Sequence, residues 1–208
     1  MWKRRDFIAA GLAVAAGGAL AAGTPVLLVV GDSLSAEYGL KRGSGWVSLL
    51  ELRLAKEKIA ARVVNASISG DTTSGGRSRL PALLQQHKPT HVVVELGAND
   101  ALRGLPLAMT EANLAEMTRA AQKAGARVLL LGMQVPPNYG SDYARRFAGV
   151  FEKVAKQYRT GLVPFLLKGI ADVPDPRSMF QPDGIHPRQE AHPLMLDNVW
   201  PELKKLLK

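Results

Sequence analysis

The chain has 208 residues, 47% of them hydrophobic and 22% charged, which excludes an intrinsically disordered protein and suits one domain with a sizeable core. Lys and Arg number 27 against 18 Asp and Glu, a formal charge of +9, but the basic residues are scattered in small clusters such as Lys3-Arg4-Arg5, Arg145-Arg146 and Lys204-Lys205. With no zinc knuckle, basic helix or aromatic-interleaved patch this reads as a solvated basic surface, with attraction to anionic headgroups as the sharper alternative, and not as a nucleic-acid interface. The absence of cysteine excludes disulfides, thiolate metal sites and a cysteine nucleophile.

The first 22 residues, MWKRRDFIAAGLAVAAGGALAA, have the form of an export signal. A basic start precedes an apolar stretch from Phe7 to Ala22, and Ala19-Leu20-Ala21 fits a small-x-small cleavage site. The stretch barely spans a bilayer, and its Gly and Ala content makes it a poor permanent anchor. Arg4-Arg5-Asp6-Phe7-Ile8 has the look of a twin-arginine signal, with the general secretory route as the alternative. The expected division is a cleaved leader over 1–22 and one domain over 23–208, with a periplasmic or secreted destination.

Pro25 to Gly31 (PVLLVVG) is a continuous apolar run ending in glycine, the pattern of a strand buried on both faces. A helical period follows through Trp46, Leu49, Leu50 and Leu54. Ala61 to Ala66 and His91 to Gly97 are the next strands, with His87 and His91 flanking Pro89 as a helix end and a strand start, both expected at the surface. Leu107, Leu114, Met117 and Ala121 mark a helix that Pro106 precedes and Gly125 closes. Ala126 to Gly132 is a fourth strand, and Tyr143, Phe147, Val150, Phe151 and Val154 mark another helix. Gly161 to Leu167 is a weaker fifth strand, because Pro164 must sit where its missing N–H is harmless. The last helix runs from about Ala191 to Leu207 and carries His192. This alternation predicts an α/β fold: a five-stranded parallel sheet between two helix layers, with chemistry beyond the carboxyl ends of the strands.

Four polar motifs lie at such ends or before the last helix: Gly31-Asp32-Ser33-Leu34-Ser35, Asn65 to Asp71, Gly97-Ala98-Asn99-Asp100 and Asp183-Gly184-Ile185-His186-Pro187. Each alone is also an ordinary turn sequence. The G-x-S-x-G elbow is absent, so Ser33 needs a base from elsewhere. Of the four histidines, His186 alone sits in a loop with an acid three residues before it. Asp183 can accept from Nδ1–H and leave Nε2 to face Ser33. The oxyanion that serine attack creates needs donors, and three candidates are the Ser33 N–H, the Gly70 N–H and the Asn99 amide. Gly70-Asp71-Thr72-Thr73-Ser74-Gly75 starts like a phosphate loop, but Gly76-Arg77 stands where Lys-Ser/Thr is required.

With these residues in order the chain resembles the SGNH (GDSL-type) hydrolases, through VVGDSLSAEYGL, NASISGDTTSGG, ELGANDALRGLP and GIHPRQEAHPLMLDNVWPELK. It is most similar to their small periplasmic thioesterase, lysophospholipase and arylesterase subgroup. The resemblance implies a flavodoxin-like three-layer sandwich, with Ser33 as nucleophile, His186 as base and Asp183 as its orienter. Ser33, Gly70 and Asn99 would form the oxyanion hole. The segment Asp100 to Pro106 matches a loop that moves over the acyl chain in that subgroup; Gly104 would hinge it, and Leu102, Leu105 and Pro106 would contact substrate. A plain strand-to-helix connection is the alternative. The implied activity is hydrolysis of small acyl esters and thioesters, lysophospholipids among them, by a monomer with no metal or organic cofactor. A carbohydrate-directed acetylesterase and a non-catalytic binding module on the same scaffold are the two rivals. Glu37-Tyr38 departs from the smaller or neutral residue expected beside the nucleophile; a Glu37 directed into the cleft would repel anionic substrates.

Overall fold

The computed structural model describes residues 23–208, so the leader proposed for residues 1–22 lies outside the described residues. Five strands, β1 (Val26–Gly31), β2 (Arg62–Asn65), β3 (His91–Glu95), β4 (Arg127–Leu131) and β5 (Gly161–Val163), form one parallel sheet in the order β2-β1-β3-β4-β5. β1 and β3 are buried along almost their whole length, because helices cover both faces of the sheet. β2 is different: as an edge strand it exposes Arg62 and Asn65, so its valines are only half-buried. β5 stops at Val163 rather than running to Leu167. Pro164 has no N–H to continue the ladder, and Phe165, Leu166 and Leu167 enter the core from a turn instead.

Six helices connect and cover the strands: α1 (Trp46–Lys56), α2 (Thr73–His87), α3 (Ala98–Leu102), α4 (Leu107–Lys123), α5 (Ser141–Tyr158) and α6 (His192–Leu206). α1 and α6 pack together on one face; α2, α4 and α5 form the other layer. α1, α4, α5 and α6 lie where their apolar periods put them, with Trp46, Leu114, Phe147 and Val199 among the residues carried inward.

α2 has no comparable apolar stripe. Its sequence holds Pro81 inside the helix and glycines at 75 and 76. Thr72 caps it, accepting from the Gly75 N–H at 3.3 Å. Gly76 faces the sheet, where a Cβ would come within 2.3 Å of Leu96 Cδ1, so the glycine that weakens the helix signal is what lets α2 approach closely.

His91 corrects a surface expectation. It is buried, and its Nε2–H donates to the Leu206 carbonyl at 2.9 Å, near the end of the last helix. His192 is buried too and accepts the Trp46 N–H on Nδ1 at 3.0 Å, joining α6 to the start of α1.

In a sheet of this order the chain leaves β1 on one side and returns for β3 on the other, which opens a crevice above the carboxyl ends of those two strands. The polar motifs converge there.

Candidate active site

β1 ends at Gly31 directly opposite Glu95 of β3. A Cβ at position 31 would lie 2.8 Å from Glu95 Oε2 and from Ser35 Oγ, so glycine lets a buried carboxyl close against the strand end. Asp32 then turns the chain: its Oδ1 accepts the Leu34 N–H at 3.0 Å and its carbonyl accepts from Ala36 at 3.0 Å. This single turn places Ser33 just beyond the carboxyl end of β1, with no G-x-S-x-G pattern.

His186 Nε2 lies 2.9 Å from Ser33 Oγ, and His186 Nδ1 lies 2.7 Å from Asp183 Oδ2. An ionised Asp183 can only accept, so Nδ1 carries the proton and Nε2 presents its lone pair to the hydroxyl. The other Asp183 oxygen accepts the Ile185 and His186 N–H groups at 2.9 and 3.0 Å. Burial opposes ionisation of Asp183, but those two N–H groups and the His186 ring outweigh it and hold its pKa down at about 2. The loop bearing both residues is closed as a small hairpin, with a bridge between Phe180 and Pro187 and Gln181 N–H donating to the His186 carbonyl at 2.7 Å.

Gly70 and Asn99 flank the same point. Gly70 sits at φ +78°, and a Cβ there would meet only Arg103 Nη2 at an ordinary 3.6 Å, so backbone conformation rather than space calls for glycine. Among the described residues, neither the Ser33 nor the Gly70 N–H has an acceptor. The Asn99 amide differs: Nδ2 donates to Asp32 Oδ2 at 3.0 Å and to the Asp71 carbonyl at 2.9 Å, so both its hydrogens are engaged at rest.

Three further residues serve this geometry, and the sequence reading passed over all of them. Asp100, fully buried, accepts from Thr73 N–H at 2.9 Å, from the Thr73 hydroxyl and from Thr110 Oγ1 at 3.2 Å, which locks α2's start to the Asn99 turn. Arg79 spans the strand ends, donating to Asp71 Oδ2 at 2.8 Å, to the Ala66 carbonyl and to the Gly31 carbonyl at 3.3 Å. Glu95 lies beneath the Ser33 turn, accepting from Asp32 N–H at 3.2 Å and from Ser35 Oγ at 2.7 Å. Burial drives the Asp32 pKa up to about 6, against the pull of the Leu34 N–H and other donors. Burial and the neighbouring Asp32 charge push the Glu95 carboxyl well above its ordinary range. The two carboxyls disfavour each other's ionisation in this buried site, where Asp32 Oδ2 accepts from Asn99. None of this shows in the sequence, because the Gly31–Glu95 register exists only once the strands pair.

Glu37 does not enter the cleft. Its carboxylate accepts from Gly43 N–H at 3.0 Å, Gly45 N–H at 2.7 Å and Ser48 Oγ at 2.9 Å, at the start of α1. Burial of the carboxyl is outweighed by these donors, which hold its pKa below the ordinary value. The expected loop after Asn99 begins as α3 and turns at Gly104, where φ is +64°. Leu102 and Pro106 are exposed and Leu105 is half-buried, on a segment that Arg103 ties to the Gly70 carbonyl at 2.7 Å. Among the described residues, no three His, Cys, Asp or Glu side chains cluster as a metal site.

Residues 29–194 match the GDSL-like lipase/acylhydrolase family. The chain belongs to that family. It is 55% identical to esterase TesA of Pseudomonas aeruginosa over 89% of this chain and 91% of that one. It is 41% identical to thioesterase 1/protease 1/lysophospholipase L1 of Escherichia coli, covering 90% and 87% of the two chains. The crystal structure of TesA superposes with a TM-score of 0.84 over 87% of this chain and 99% of that one. That of the esterase EstA from Pseudoalteromonas, inhibited by monoethylphosphonate, superposes with a TM-score of 0.81 at 40% identity, covering 88% and 98%. The fold of this GDSL hydrolase is the three-layer, five-stranded sandwich that its sequence predicts.

A buried titration of this hydrolase lies at the start of α6. Burial drives the His192 pKa down to about 4, against the opposing pull of Glu37 and the Pro187 backbone. An unfolded histidine binds its proton from about pH 6.5 and the folded one only from about 4, so the unfolded state holds more protons in between. The contribution is fully present above pH 6.5 and is lost as pH falls towards 4. His192→Asn keeps an oxygen to accept the Trp46 N–H but gains no charge. Denaturant unfolding at pH 7 and pH 4 is expected to show wild type losing about 3 kcal/mol more than this variant.

Proposed function

We propose that this GDSL hydrolase is a serine esterase that cleaves acyl esters and thioesters through an acyl-enzyme. The carrying observation is the unbroken relay from Asp183 through His186 to Ser33, at 2.7 and 2.9 Å. Ser33 Oγ attacks the acyl carbon as its proton passes to His186 Nε2; the Oγ–C bond forms and the carbonyl electrons move onto oxygen. The Ser33 and Gly70 N–H groups receive that oxyanion. Asn99 supplies a third donor by releasing one of its resting partners, since a charged acceptor outcompetes the neutral Asp71 carbonyl. Collapse breaks the bond to the leaving oxygen or sulfur, which takes the proton from His186. Water then enters, loses a proton to His186 and expels Ser33 by the same sequence in reverse.

The substrate class is small acyl esters and thioesters, lysophospholipids among them. Relatives named esterase, arylesterase and thioesterase/lysophospholipase support this reading. Leu102, Leu105 and Pro106 offer apolar contact for the acyl chain. The Arg4-Arg5 leader supports removal of residues 1–22 and action in the periplasm or outside the cell; no helix among the described residues is long and apolar enough to cross a membrane.

The test is a panel of p-nitrophenyl esters from acetyl to dodecanoyl, a lysophospholipid and an acyl thioester, together with a fluorophosphonate whose adduct is mapped by peptide mass. Hydrolysis of C6–C12 chains and a single adduct on Ser33 are expected. Strict acetyl preference would favour the carbohydrate-directed acetylesterase, and absence of any adduct would favour a binding module.

A further inference from the structure

The tetrahedral carbon formed at Ser33 has four substituents, and the site fixes the direction of three. One is Oγ itself. The second, the oxyanion, points to the Ser33 and Gly70 N–H groups. The third is the leaving atom, which must lie within hydrogen-bond reach of His186 Nε2, because that nitrogen returns the proton. The acyl chain takes the remaining direction. A side chain that packs against the imidazole and reaches its Nε2 edge therefore lies nearer the leaving group than the acyl chain.

The side chain bordering it is Tyr38. Its ring centroid lies 4.3 Å from that of His186, with the planes tilted by 38°, and the residue is 50% exposed. The main chain that carries the ring is held from two sides. Gln181 Nε2 donates to the Tyr38 carbonyl at 2.9 Å and to the Pro187 carbonyl at 3.2 Å, so one side chain joins the tyrosine to the hairpin that carries His186. Glu37, immediately before it, holds a left-handed φ of +59°. That conformation is uncommon outside glycine and asparagine. The three hydrogen bonds from Gly43, Gly45 and Ser48 to its carboxylate keep it there. A half-exposed aromatic ring packed against the proton-returning imidazole is a surface on which a flat leaving group can lie, since aromatic pairs prefer offset or tilted contact.

We infer that Tyr38 is the specificity residue for the leaving group, and that it favours esters of phenols and other aromatic alcohols or thiols over alkyl esters of the same acid. Glu37 is its positioning residue. The inference rests on the esterase reading above and extends it from reaction to selectivity.

Phenyl butyrate and butyl butyrate share one acyl group and so one acyl-enzyme; kcat/KM reports the acylation step in which the leaving group departs. The quantity to read is the ratio of kcat/KM for the phenyl ester to that for the butyl ester, which cancels any common damage to Ser33 or His186. Tyr38→Ala is expected to lower this ratio about 3–10-fold, the range of an aromatic contact converted to a rate. Tyr38→Phe keeps it, and Glu37→Ala lowers it in part. The phenyl and butyl esters of octanoic acid give the same loss in the ratio, because the acyl chain lies elsewhere. An unchanged ratio in Tyr38→Ala overturns the inference while leaving the esterase reading intact. Failure of wild type to hydrolyse either ester overturns both.

Discussion

Ser33→Ala is expected to lower kcat/KM on any ester that the wild type hydrolyses by about 10⁴–10⁶-fold, and His186→Ala by a similar factor. The two losses are not additive, because the hydroxyl and the imidazole act as one unit across their 2.9 Å contact. Removing the hydroxyl leaves no atom to form the acyl-enzyme. Removing the imidazole leaves a hydroxyl whose proton has nowhere to go. The double variant should therefore be no worse than either single one by more than a few-fold. Initial rates on a p-nitrophenyl ester measure all three, and thermal melts check the fold. Ser33 is half-buried in a turn held by Asp32 and its neighbours, so the melting point should hold. A residual rate within tenfold of wild type for Ser33→Ala would refute the mechanism.

Asn99→Ala is expected to cost about 10²–10³-fold in kcat with little change in KM, the signature of a donor used mainly in the transition state. The argument turns on what the amide does at rest. Its two hydrogens go to Asp32 Oδ2 and the Asp71 carbonyl, so under the proposed mechanism it would donate to the substrate carbonyl only as charge builds there. Ground-state binding is then nearly blind to its loss. The same truncation strips a donor from a buried carboxylate, so a stability loss of about 1–3 kcal/mol accompanies it. Denaturant unfolding separates that loss from the kinetic one. A large rise in KM with kcat preserved would mean that Asn99 serves substrate binding instead.

The parts of this fold visible in the sequence are those whose signal is local. β1, β3 and β4 are short apolar runs bounded by turns, and α4 and α5 carry unmistakable apolar stripes. The Asp183–His186 pair was legible because three residues in one loop suffice to orient an imidazole. α2 was not, since Gly76 trades helix propensity for contact with Leu96, a gain that exists only after packing. His91 was misjudged for a similar reason: its partner is a carbonyl 115 residues away. Glu37 was feared in the cleft because nothing local announces that its carboxylate turns back to cap the next helix. Glu95 reads as one more strand residue until the β1–β3 register puts it under the nucleophile.

The imidazole reaches its hydroxyl across 153 positions of chain, and it does so on a hairpin that adds no strand to the central sheet. Chemical competence and architectural completeness are thereby uncoupled. The ladder from β2 to β5 can be whole while the proton acceptor is still adrift. Gln181, which donates to both the Tyr38 and the Pro187 carbonyls, ties that hairpin to the loop after β1.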